Sequence, residues 1–232
     1  MAGANTRREM IDEVAGHLIR AKGAGPLRVA IDGRTAAGKT SFREELAKAL
    51  RAEGHDVVAT SIDGFHHPKV VRYAKGRTSA DGYYEDARNL PAIRRLLLDP
   101  LGADGNRHYA MENFDLEADQ PIEPVMHKAD EDVILLVDGT FLQRPELKDG
   151  FDLTIFLDVP QDLAVERAAV RAGAENADAM RTAYATRYLP AYERYDRECR
   201  PMASADLIID NRDFEKARVV DIKGTLRSGV DA

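Results

Sequence analysis

Apolar residues follow two alternating patterns along the chain. Met10, Ile11, Val14, Leu18 and Ile19 recur at helical spacing behind a capping Asn5 or Thr6, and Gly23 with Gly25-Pro26 closes that pattern. The run 27–32 (LRVAID) then reads as a short strand. Phe42, Leu46, Ala47 and Leu50 return to one helical face in a segment that starts at Lys39 and stops at Gly54. Further β-prone runs stand at 56–62, 133–137, 153–159 and 207–209, with helical patterns at 90–98, 162–172 and 178–199, the last broken at Pro190. Unbroken apolar runs belong to strands buried on both faces. Their alternation with helices predicts an α/β, doubly wound, mainly parallel five-stranded sheet, with ligands outside the carboxyl ends of the strands. The stretch 102–132 holds only irregular strand candidates at 108–114 and 121–127, and a connection this long reads as a substrate-side insertion.

Size and charge narrow the class. With 232 residues, 44% of them hydrophobic, the chain fits one domain over 1–232, including an N-terminal helical segment at 1–24 and a lid region at 160–176. Lys and Arg total 33 against 40 Asp and Glu, and the net charge of −7 disfavours a nucleic-acid partner. Cys199 is the single cysteine, so neither an internal disulfide nor a zinc module is expected. The apolar runs fall well short of the roughly 18 residues of a membrane span, and the first residues lack the apolar stretch of an export signal. The expectation is a cytoplasmic protein with no membrane partner, and self-association stays open.

The chemistry begins at the first predicted strand. Gly33, Arg34, Thr35, Ala36, Ala37, Gly38, Lys39 and Thr40 match G-x-x-x-x-G-K-[ST], followed by Ser41 and an amphipathic helix. In that setting backbone N–H groups cradle phosphate oxygens, Lys39 reaches the terminal phosphates and Thr40 ligates Mg²⁺, so ATP and Mg²⁺ are the expected cofactors. Asp138 ends the run VILLV and is the second metal candidate, with Asp158 a rival at another strand end. An N-K-x-D guanine-reading segment is absent, which favours a small-molecule kinase over a GTPase. Such a kinase needs a carboxylate near the acceptor hydroxyl and cations around the transferred phosphoryl. Asp63, followed by Gly64 at the end of the second strand, suits the first role. Arg167 and Arg171, four apart on one helix, suit the second or form a solvated basic face. His66 either lines the pocket or packs beside the turn. Arg72, Lys75 and Arg77 read as a solvated loop or as a clamp for an anionic substrate, and Tyr83, Tyr84 and Tyr109 as stacking or packing residues.

Taken in order, GRTAAGKTS, SIDGFHHP, GYYEDARNL, VILLVDGTFLQRPEL, RYLPAYERY and ADLIIDN resemble the uridine kinase-like P-loop kinases, a group that includes phosphoribulokinase and bacterial pantothenate kinase. The resemblance covers about 27–211. It implies transfer of the ATP γ-phosphate to a hydroxyl of a nucleoside, with Asp63 as general base and Arg167 and Arg171 as lid arginines. The candidate substrate contacts are His66, Tyr84, Asp86 and Tyr109, of which the resemblance puts Asp86 nearest the ribose, and it implies an adenine border at 211–214. The chain departs from the family where Gly82-Tyr83-Tyr84-Glu85 precedes Asp86, and where AMENFDLEAD follows Tyr109 in place of the usual His and Arg. Two alternatives therefore remain. One is a kinase for a sugar phosphate or a pantothenate-like alcohol; the other is a non-catalytic ATP-binding regulatory module.

Overall fold

The computed structural model describes residues 6–223. Ten strands occur in chain order: β1 (Leu27–Asp32), β2 (Val57–Ser61), β3 (His108–Tyr109), β4 (Phe114–Asp115), β5 (Gln120–Pro121), β6 (His127–Lys128), β7 (Ile134–Asp138), β8 (Leu153–Asp158), β9 (Leu207–Asp210) and β10 (Arg218–Ile222). The α-helices are α1 (Arg7–Ala21), α2 (Lys39–Ala52), α3 (Lys69–Arg72), α4 (Leu90–Ile93), α5 (Gln161–Ala172), α6 (Ala177–Ala183), α7 (Leu189–Cys199) and α8 (Pro201–Ser204). One six-stranded sheet in the order β10-β9-β8-β1-β7-β2 organises them. Its five apolar runs are parallel, as their unbroken hydrophobicity predicts, and β1 lies at the interior between β7 and β8.

The sixth strand is an addition to the expected five. β10 pairs antiparallel with β9 across a register shift between Val219 and Asp221. Its sequence RVVDI is part polar and part exposed, so it carries no buried-strand signature. The expected break at Pro190 is also corrected. The chain stays helical from α6 through a π-helical turn at Tyr184–Tyr188 into α7, where Pro190 occupies the first turn. The proline removes one N–H from the helical ladder where the pattern has already widened to the π form, and the helix continues through it. Similar π turns lie at Gly82–Asp86 and Arg94–Leu98.

Side-chain alternation along β1 divides the core. Val29 and Ile31 pack with Met10, Leu18, Phe42 and Leu46 of α1 and α2, whereas Ala30 joins Val58, Leu97, Leu135 and Val137 on the opposite face. A third cluster of Tyr84, Phe141, Phe156, Tyr192 and Tyr195 sits against α7. α1 begins in a capping box: the Thr6 hydroxyl accepts from Glu9 N–H at 3.3 Å, and the Glu9 carboxylate accepts from Thr6 N–H at 2.7 Å. Asn5, the other cap candidate, lies outside the described residues.

The 102–132 segment is organised by two short ladders, β3 with β6 and β4 with β5, rather than by the longer irregular strands expected. Its Asp119, at φ 56°, accepts from Lys69 N–H and from the Arg72 guanidinium, each at 3.0 Å, and so ties the insertion to α3. Among the described residues no helix is long and apolar enough to cross a membrane.

Candidate active site

The glycines of the phosphate loop are fixed by contacts that a side chain would obstruct. A Cβ on Gly33 would lie 2.8 Å from the Leu157 carbonyl oxygen, and Gly38 caps α2 at φ 88°, where a Cβ would lie 2.8 Å from Asn211 Nδ2. No side chain caps α2, so its first N–H groups face the loop and are available to an anion. Lys39 Nζ donates back to the carbonyls of Gly33, at 2.9 Å, and Arg34, at 2.8 Å. Burial pulls the Lys39 pKa down, opposed by Asp32, Asp138 and Asp63. Asn211 Nδ2 holds the loop from behind through the Ala37 carbonyl, at 2.7 Å, and Arg7 donates to the Asn211 carbonyl oxygen Oδ1 at 3.1 Å.

Parallel pairing of β1 with β7 brings Asp138 beside this loop. Thr40 Oγ1 donates to Asp138 Oδ2 at 3.1 Å, and Arg43 donates to Oδ1 at 2.5 Å. Burial pushes the Asp138 pKa up while Arg43 and Lys39 pull against it. A hydroxyl and a carboxylate in contact beside a phosphate cradle form an oxygen donor set of the kind Mg²⁺ takes together with nucleotide oxygens, so these residues fit the ion. Asp158, the rival, does not line the cavity that Asp138 lines.

That cavity, of about 570 Å³, brings Thr35, Ala36, Gly38, Lys39, Thr40 and Ser41 together with Asp63, His66, Asp138, Arg167 and Arg171. Gly33, Arg34 and Ala37 do not face it, and the Arg34 guanidinium lies 4.2 Å above the Tyr192 ring. Asp63 sits in the tight turn Ile62–Gly64 at the end of β2, where a Cβ on Gly64 would meet the Met111 carbonyl at 2.6 Å. Arg88 donates to Asp63 Oδ1 at 2.6 Å, and His66 Nδ1 lies 2.8 Å from the Asp63 carbonyl. Desolvation within the cleft works to raise the Asp63 pKa, but Arg88, His66 and Lys39 prevail and hold it below the ordinary carboxylate value. Burial, seconded by Arg88, takes the His66 pKa down to about 4, so the imidazole is neutral and donates from Nδ1. Arg167 donates to the Asn211 and Arg212 carbonyls, at 3.1 and 3.0 Å, fastening α5 to the segment after β9.

Three residues expected to contact substrate stand apart from this cavity. Tyr84, Asp86 and Tyr109 do not line it. Tyr84 turns inward on the π turn, stacks edge-on against Phe141 and donates to Glu198 at 3.0 Å. Asp86 pairs with Lys75 at 2.9 Å, and Tyr109 packs in the core beside His127. Tyr73, Tyr83 and Tyr188 present their rings to the cavity instead. The basic patch divides in the same way: Arg72 faces the cavity, Lys75 is held by Glu85 and Asp86, and Arg77 lies over the Tyr73 ring. Sequence reasoning missed Arg88 and Arg187. Arg88 lies in the quoted GYYEDARNL and Arg187 in RYLPAYERY, but neither has a spacing that announces a role.

No family model matches the chain. Among solved structures, a protein described as a possible uridine kinase from Bacillus stearothermophilus superposes with a TM-score of 0.70 at 24% identity, over 87% of this chain and 97% of that one. A candidate fructose transport system kinase from Silicibacter sp. TM1040 gives 0.64 at 19% identity, over 81% and 94% of the two chains. D-glycerate 3-kinase from Cryptococcus neoformans gives 0.55 at 13% identity, over 79% and 87%. With a phosphate loop leaving β1, a carboxylate ending β7 beside it and these likenesses, the chain has the fold of the uridine kinase-like and related P-loop kinases.

Proposed function

We propose that the protein is an ATP- and Mg²⁺-dependent small-molecule kinase that transfers the γ-phosphate of ATP to a hydroxyl. The observation that carries this reading is the meeting, in one cavity, of the phosphate loop with a second strand-end carboxylate, Asp63. A nucleotide sensor has no evident use for an ionised Asp63 held against Arg88. Thr40 and Asp138 would hold Mg²⁺, which supplies charge neutralisation between the terminal phosphates.

The remaining work falls to the chain's own groups. The loop N–H groups and Lys39 bind the phosphates, and Lys39 and Arg171 face the charge that spreads over the transferred group. Asp63 orients the acceptor hydroxyl and takes its proton as the oxygen bonds to the γ-phosphorus and the bond to the bridging oxygen of ADP breaks. Arg88 keeps Asp63 ionised for that task. The nucleoside form of the reading rests on the family resemblance, and its ribose carboxylate, Asp86, is committed to Lys75.

The test is ADP release with Mg-ATP across nucleosides, sugars, sugar phosphates and hydroxy acids, with Asp63→Asn as control. An acceptor should stimulate release, and the substitution should lower turnover by about 10²-fold or more with ATP binding unchanged. ADP release indifferent to every acceptor would instead favour the regulatory module.

A further inference from the structure

Beyond Asp63 the cavity wall is cationic in a way that nucleotide binding does not account for. Arg72 extends from the end of α3, and its side chain is 5% exposed. One nitrogen, Nη2, donates to Asp119 at 3.0 Å, while Nε and Nη1 are buried and have no hydrogen-bond partner. Arg187, on the π turn before α7, leaves its own buried Nε unpartnered as well. Its guanidinium lies 5.2 Å from the Tyr73 ring and 4.9 Å from the Tyr83 ring, and that of Arg72 lies 5.3 Å from Tyr73. The two arginines therefore flank one tyrosine, and both line the same cavity as Asp63.

Buried guanidinium N–H groups without acceptors are costly unless something else supplies the oxygens. Such a fork matches a phosphate or carboxylate, and a neutral sugar or nucleoside offers it no charge-assisted partner. Charge balance points the same way. Six arginine and lysine side chains line the cavity against two carboxylates, and Asp119, which is not in the lining, offsets only Arg72. A magnesium nucleoside triphosphate, at roughly −2, balances only part of that excess.

We infer that the acceptor is a hydroxylated oxyanion, an alcohol that already carries a phosphate monoester or a carboxylate, and that Arg72 and Arg187 bind this anionic group while Asp63 faces the hydroxyl. The inference rests on the kinase reading and names its substrate class. The tyrosines supply flat apolar walls for the carbon skeleton between the two ends.

The experiment compares matched acceptors on the full chain with Mg-ATP: ribulose 5-phosphate against ribulose, fructose 6-phosphate against fructose, and glycerate against glycerol, with uridine as the neutral nucleoside. The anionic member of at least one pair should lead its neutral partner by about 50-fold or more in kcat/KM, and the pair that responds separates phosphate from carboxylate. Arg187→Gln, which leaves the Arg72–Asp119 tie intact, should raise KM for that acceptor by about 10-fold with KM for ATP within about twofold of the parent. A neutral acceptor preferred over every anionic one would overturn the inference and leave the kinase standing. A rise in KM for ATP alone in Arg187→Gln would assign these arginines to the nucleotide and overturn it too. ADP release stimulated by no acceptor would overturn both readings together.

Discussion

Asp63 and His66 share a turn and respond to acid in different ways. Because the Asp63 carboxyl is held below its ordinary value, chiefly by Arg88, it stays ionised throughout the neutral range. The rate should therefore show no acid limb from this group above about pH 5, which a kcat/KM profile from pH 5 to 8 checks. His66 affects stability instead. Its pKa is about 4 in the folded protein against 6.5 for the free side chain, so between those values the unfolded chain binds more protons. Stability is thus greatest above the unfolded pKa and falls as pH drops from 6.5 toward 4, by on the order of 2 kcal/mol. His66→Asn, whose amide can still donate to the Asp63 carbonyl, should flatten that fall, as denaturation midpoints at pH 7 and pH 4.5 will show. At Gly38 the constraint is steric: Gly38→Ala places a Cβ 2.8 Å from Asn211 Nδ2 at φ 88° and should raise KM for ATP by about 10-fold or more. The placement of a contiguous motif, such as Gly38, Lys39 and Thr40 where α2 begins, was legible in the sequence. Placements decided by which neighbour a side chain meets were not. Tyr83 and Tyr84 are adjacent, yet the π turn sends one ring to the cavity and buries the other.

Elements were legible in proportion to how much of their stability is local or uniformly apolar. α1 carries its own start signal in Thr6 and Glu9, and Thr6→Ala should cost about 1 kcal/mol of stability, read from denaturant unfolding, without changing KM for ATP. β1, β2, β7, β8 and β9 were readable because burial on both faces requires unbroken apolar runs. β10 was not, because an edge strand with an exposed face needs no such run. The three π turns carry no periodic signature, and two of them place Tyr83 and Arg187. Loops can be read by length but not by contact. The 102–132 stretch was recognisable as a long irregular connection, whereas its attachment to α3 through Asp119 and Arg72 depends on a pairing 47 residues apart.

At the scale of the whole molecule, an acidic chain of net charge −7 encloses a cationic cavity. Anionic substrates are drawn toward the cavity's positive field, so kcat/KM for Mg-ATP should fall several-fold between about 20 and 300 mM salt while kcat changes little; steady-state rates across that series are the check. The overall charge gave no hint of this local reversal, since the cations come from five separate stretches of chain. The aromatic lining has a consequence of another kind. The chain has no tryptophan, and seven of its eight tyrosines, all but Tyr109, cluster around the cavity and the adjoining α7 cluster through ring contacts or the shared Arg187. Ultraviolet emission from the unlabelled protein is therefore dominated by the cleft, which makes the molecule its own optical titration probe.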